Sequence, residues 1–455
     1  MQETYSDLDF RNGNDEFSRR PIAEKAIRLL SSDIDLSPMV IDGSWGAGKT
    51  VFCHKLINLM KETEGDKFHF LYIDAFRADH ADEPLLTVLA AVLNLMPTEG
   101  KPVFIKKVVP AARFTVKTIL KAGVGHLLRK DTDSVLDDFD EEVQKVADKA
   151  IDASVESLLK EHSEAEQSLA SLQSALKGLA KDKPILFFID ELDRCRPDFS
   201  VNMLEIIKHI FDVEGVKFVL VTNTEQLKAA IKHKYGPTVD AQRYLDKFIK
   251  FSFSLSHLAH EGYDSRRLAS EMHYLNLING RGIFYNSIIT SGPGFELAKS
   301  IIIANELSLR EVETVVRHLE IYLTIYPNRE FGNDIAIIGL LKLAGVFLHC
   351  TKPDLAKTIC MNKADAKELG IFLGVNELPI LNNSNQKGGS ASLVLAILAP
   401  ECMFNAAIFN RNESQSALWE TIISNGLNYS FDNIPFGKRT SVIAKAISSM
   451  SLAGH

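Results

Sequence analysis

Two patterns of apolar residues divide the chain. In the N-terminal half, short runs that are apolar on both faces recur between polar turns: PMVID (38–42), FHFLYID (68–74), PILFFID (184–190) and VKFVLVTN (216–223). Flat runs of this kind predict strands of a parallel sheet covered by helices on both sides, because neither face is left for water. A fifth run, KFIKFSFSL (247–255), alternates apolar and polar residues and predicts an edge strand. Helix-forming stretches separate the runs, so the expected architecture is a three-layer αβα doubly wound sheet whose ligands bind at the strands' C-terminal ends. Gly43, Asp74, Asp190 and Asn223 all fall at those ends.

From about His260 the strand runs vanish and helical spacing takes over. In LSLREVETVVRHLEIYLTIY (307–326), Val312, Val315, Val316 and Leu319 share one face. Two long apolar stretches, 335–349 and 390–409, are broken by Lys342 and by Pro400, Glu401 and Asn405 respectively. Neither supplies the roughly 18 uninterrupted apolar residues of a membrane helix, so both are expected as buried helices of an all-α C-terminal region. The turn-rich segment 378–392 reads as a loop before a last helical unit.

Between the second and third runs lies an insertion, about 100–182, too long for an ordinary crossover. Its first part, 101–130, has no acidic residue, whereas 131–142 is mostly acidic. A basic apolar helix can lie on an anionic membrane or grip a phosphate backbone. The alternative, which the adjacent acids favour, is that it packs on the insertion and pairs with the acidic run.

Composition narrows the class. At 455 residues the chain is expected to form two or three domains. Its 46% hydrophobic and 24% charged content is that of a packed globular protein, and a net charge of -8 argues against a generally basic nucleic-acid binder. Five scattered cysteines without a C-x-x-C pair, together with an acidic N-terminal segment lacking a signal-like apolar core, lead to the expectation of a cytoplasmic protein.

The chemistry centres on GSWGAGKT (43–50), which fits G-x-x-x-x-G-K-[ST]. Gly43, Ser44, Trp45, Gly46, Ala47, Gly48 and Val51 would surround the phosphates with backbone N–H groups and a helix N-terminus. Lys49 would reach the outer phosphates and Thr50 would hold Mg²⁺. The second motif, ILFFIDELDR, places Asp190 to share the Mg²⁺ site and Glu191 to polarise the attacking water. A strand intervening between the P-loop and the acidic strand favours the hydrolase-type class with an extra central strand. Asn223 either helps orient that water or simply caps a helix. Arg243, Lys247 and Arg310 are candidates to neutralise γ-phosphate charge, with a solvated helix face as the alternative for each.

These motifs together resemble the KAP family of P-loop NTPases, similar in turn to AAA+ and STAND ATPases. The resemblance is carried by NDEFSRRPIAEKAIRLL, VIDGSWGAGKT, LYIDAFRADHADEPLLTVLAAVL, FFIDELDRCRPDFSVNMLEIIKHIF, VLVTNTEQLKAAIKHKYG and LSLREVETVVRHL, and covers about 9–322 outside the insertion. It implies that Phe17, Arg20 and Ile22 approach the base, and that 307–319 belongs to a helical lid. The expected domains are an NTPase domain at 1–258, the lid at 259–345 and a C-terminal helical domain at 346–455. Family members often carry membrane helices between the two nucleotide motifs, and the insertion here is soluble in composition. The function implied is an ATP- and Mg²⁺-dependent ATPase in a regulatory or anti-phage role, working as a homo-oligomer or with a separately encoded effector. Its alternatives are a nucleotide-gated scaffold for a protein partner and a nucleic-acid-stimulated ATPase.

Overall fold

The structure is a computed structural model that describes residues 7–11, 14–81, 84–96, 101, 104, 167, 170–209, 211–256, 258–261, 265–285, 288–326, 336–382, 389–428 and 435–451. The basic stretch 101–130 except Lys101 and Phe104, the acidic run 131–142 and most of the insertion lie outside those residues, apart from a helix at 170–180. Two units divide the chain: the first takes in 1–14, 20–44 and 49–255, the second 15–19, 45–48 and 256–455.

The first unit is built on five parallel strands, β1 Met39–Asp42, β2 His69–Asp74, β3 Ile185–Asp190, β4 Val216–Thr222 and β5 Phe251–Ser254, in the order β2-β3-β4-β1-β5. The flat apolar runs have the expected consequence. Alternate residues of β3 feed two separate cores: Ile185, Phe187 and Ile189 pack with helix Pro197–His209, while Leu186 and Phe188 pack with helices Arg20–Leu30 and Lys49–Glu64. Phe187 stacks on Phe218 at 4.7 Å. Each such buried aromatic contributes roughly 1.5–3 kcal/mol, so β3 is pinned from both sides and its terminal acids are delivered to a fixed place.

Sheet order bears out the extra central strand and identifies it. β2, which intervenes in sequence between the P-loop and the acidic strand, lies at the sheet's outer edge; the strand between β1 and β3 in space is β4. β5 is the other edge strand, as its alternation predicts. Register aligns the strand ends, with Asp74 opposite Asp190 and Asp42 opposite Thr222.

The second unit is mainly helical. Against expectation, the strands do not vanish: Leu258–Glu261 and Ser265–Leu268 pair as an antiparallel ribbon. One hydrophobic cluster runs from Tyr274 to Ile447 and buries Val312, Val315, Val316 and Leu319, the predicted face of helix Leu309–Ile325. Ser308 and Glu311 form a capping box that starts this helix. Position 345 falls inside helix Ala336–Thr351, where Gly345 lets helix Arg439–Met450 approach; a Cβ there would lie 2.9 Å from the Ala446 side chain. Among the described residues no helix is long and apolar enough to cross a membrane.

Candidate nucleotide site

The first unit contributes both ends of the glycine loop and the acidic strand end. β1 delivers Gly43 and Ser44, and helix Lys49–Glu64 begins at the loop's end. Lys49 Nζ donates to the carbonyls of Gly43 (2.7 Å) and Ser44 (3.1 Å), so the ammonium is folded over its own loop. Burial draws its pKa down, opposed chiefly by Asp193, Asp190 and Asp42. Asp42 is itself engaged: its Oδ1 accepts from Thr224 N and Oγ1, both at 2.9 Å.

Asp190 is 1% exposed and collects three bonds. The Thr50 hydroxyl bonds its carboxylate, Tyr72 OH donates to Oδ2 at 3.1 Å, and the Glu191 N–H donates to Oδ1 at 2.7 Å. Burial nevertheless carries its pKa up to about 6, because the three bonds only partly offset the loss of water. Glu191 follows with φ of 59°, a left-handed conformation uncommon for a residue with a Cβ, and its carboxylate pairs with Arg194 at 2.9 Å. Asp193 accepts from Thr222 Oγ1 at 3.1 Å. The structure thus brings Lys49, Thr50, Asp190 and Glu191 to one sheet edge.

The loop's tip groups with the second unit. Gly46 and Gly48 both have φ of 77°, which is open to glycine at no steric cost. A Cβ on Gly46 would meet the Ser308 side chain at 2.8–2.9 Å and Arg310 Cβ at 3.2 Å. The N-terminus of helix Leu309–Ile325, with Arg310, therefore abuts the loop tip. Trp45 is half exposed there.

Arg19 is a site residue that sequence reasoning missed. It is 6% exposed; Nη1 donates to the Ala47 carbonyl at 3.0 Å, Nη2 to the Ser256 carbonyl at 3.3 Å, and the guanidinium lies 4.9 Å from the Phe17 ring centre. Burial lowers its pKa to about 10. Its neighbour Arg20, the residue expected near the base, instead pairs with Glu24 at 2.9 Å on an exposed helix face, and Ile22 packs against the core with Phe10 and Phe52. Nothing in the string SRRP separates the two arginines. The turn at Ser18 (φ 52°) does, since it ends one residue before the helix begins.

The remaining candidates scatter. Phe17 stays beside Arg19 and makes an edge contact with His273. Val51 is exposed on the first turn of its helix. Asn223 caps helix Thr224–Tyr235 through Glu225 N at 3.1 Å. Arg243 and Lys247 do not join the cluster. The Lys247 carbonyl accepts from Lys208 at the far end of helix Pro197–His209, and Lys250 N bonds Pro38 O, just before β1. The chain from Lys247 to Lys250 thus lies toward the strands' N-terminal edge, while the Arg243 side chain pairs with Asp240 and the Lys247 ammonium lies over the Tyr244 ring.

In comparisons with known proteins, the KAP family P-loop domain matches residues 19–271, more than half of the 455. Among curated proteins none matches. Among solved structures, the ORC2 protein from Aeropyrum pernix, in ADPNP–ADP complexes, is similar at 13% identity and a TM-score of 0.35, over 99% of this chain and 98% of that one.

Proposed function

This chain belongs to the KAP family of P-loop NTPases, and we propose that it is a Mg²⁺-dependent ATPase with a regulatory or anti-phage role. The observation that carries the reading is Asp190, bonded by Thr50 of the P-loop helix and followed directly by Glu191. The donor set fits Mg²⁺. It is one hydroxyl and one carboxylate, and the described residues hold no group of three or more His, Cys, Asp or Glu that would form a protein-only cage; Mg²⁺ is ordinarily held that sparsely, with phosphates and waters completing the shell. When bound, the ion would offset charge on the outer phosphates.

In this reading Lys49 leaves the Gly43 and Ser44 carbonyls to bond phosphate, and Glu191 accepts the proton of the attacking water. Arg310 offsets developing charge from beside the loop tip, and Phe17 and Trp45 flank the base. Asn223 combines its capping bond with orientation of the water. Arg243 and Lys247 act on a neighbouring copy, which ties the reading to a homo-oligomer. We retain the domain division at 258 and 345, a cytoplasmic setting and a separately encoded effector as parts of the same proposal.

The test is a pair of variants. Lys49→Ala is expected to lose ATP binding, and Glu191→Gln to bind ATP and lose turnover. Wild-type turnover in Glu191→Gln would overturn the catalytic assignment. A second reading, a nucleotide-gated scaffold with little turnover, draws support from the ion pair that engages Glu191. Rates that stay low with every partner protein would favour it.

A further inference from the structure

Glu191 is held by its neighbours through both its backbone and its carboxylate. Its N–H bonds Asp190, its carbonyl accepts from Arg194 N at 3.1 Å and lies 3.6 Å from Cys195 Sγ, and the next acid, Asp193, is fixed by Thr222. The left-handed φ turns the chain sharply into the short helix Leu192–Arg194. Side chains three residues apart then share a face, and Arg194 Nη1 meets Glu191 Oε1 at 2.9 Å. Both side chains are largely shielded from solvent, 29% and 19% exposed, so the pair is screened less than one on an open surface.

We infer that Arg194 is a positioning residue for hydrolysis: its ion pair keeps the Glu191 carboxylate turned onto its own motif and off the attacking water, so that turnover requires the pair to open. The inference rests on the ATPase reading above. A carboxylate oxygen that takes a charge-assisted bond has fewer lone pairs for water and is a weaker base. Breaking the pair is then part of the barrier, and a chain at rest hydrolyses slowly despite a complete set of groups. The charged groups around the pair are Asp190, Asp193, Lys49, and Asp74 and Asp79 from β2 and the turn after it.

The test compares wild type with Arg194→Met, Arg194→Gln and Arg194→Lys in steady-state ATPase assays over a range of ATP concentrations. Removing the guanidinium is expected to raise kcat about fivefold, a size set by partly exposed ion pairs, with KM for ATP unchanged. Arg194→Lys should return kcat toward wild type. If Arg194→Met does not fold, Arg194→Gln carries the same comparison. An unchanged or lower kcat, or a gain that comes with a changed KM, overturns the inference while leaving the ATPase reading intact. Absence of turnover in wild type, or wild-type turnover in Glu191→Gln, sinks that reading itself.

Discussion

Tyr72 on β2 donates a 3.1 Å hydrogen bond to Asp190 Oδ2 on β3, joining an edge strand to the proposed metal-holding carboxylate. Asp190 has its pKa raised by burial to about 6, and Tyr72 is one of three bonds that hold it from rising further. Only the ionised form can hold Mg²⁺, so protons compete with the metal below about pH 6. The Mg²⁺ concentration for half-maximal turnover should climb as pH falls through 6. In Tyr72→Phe the climb should begin at higher pH, and identical Mg²⁺ titrations at pH 6 would refute the link.

Gly46 is one of the unspecified positions of the P-loop pattern, yet its φ of 77° and the Ser308 side chain leave no room for a Cβ. Gly46→Ala should cost about 1–3 kcal/mol of local strain and weaken nucleotide binding about tenfold or more. Calorimetric titration against wild type measures this. The conservative look of the change makes it a sharp test, since Ala47 beside it is tolerated as alanine.

His273 bridges Glu16 (2.8 Å) and Glu313 (3.1 Å). Burial opposes its charge, but the two hydrogen-bonded carboxylates prevail and raise its pKa to about 9. A histidine raised in the folded state stabilises the fold fully below about pH 6.5, and that contribution is lost as pH rises through 9. Its size is on the order of 3 kcal/mol. His273→Gln should therefore melt well below wild type at pH 6 and close to it above pH 9. Arg310 and Arg317 lie near Glu313 and will shift the window's edges.

Arg310 and Arg243 make opposite predictions in the same assay. Arg310 lies against the loop tip, whereas Arg243 is an exposed residue paired with Asp240. Arg310→Ala should lower kcat about tenfold or more at any protein concentration if its proposed role of offsetting γ-phosphate charge holds. Arg243→Ala should leave dilute protein unaffected and lower turnover only where copies associate, as rates measured over a dilution series would reveal.

The nucleotide-binding architecture was legible because it depends on local pattern. Runs such as ILFFID have no polar face, and this alone demands cover on both sides of a parallel sheet. GSWGAGKT and the adjacent Asp190 and Glu191 are local patterns of the same kind, and the fold brings Lys49, Thr50 and Asp190 together. Val312, Val315, Val316 and Leu319 announced a buried helical face by periodicity, and all four are buried.

Other features depend on which segments meet, and no local pattern records that. Strand order placed β4, not β2, between β1 and β3, since pairing is chosen by packing across the whole sheet. The turn at Ser18 selected Arg19 over Arg20 for the P-loop, a difference of one residue in an otherwise symmetrical pair. Asn223 shows the limit within one side chain: its place at a strand end was plain, but the bond to Glu225 N exists only because a helix starts there. Chemistry carried by neighbours in sequence was thus determined before folding. Chemistry carried by neighbours in space, Tyr72 on Asp190 and Arg19 on Ala47, was decided only when burial brought distant backbone together and each polar group had to find a partner.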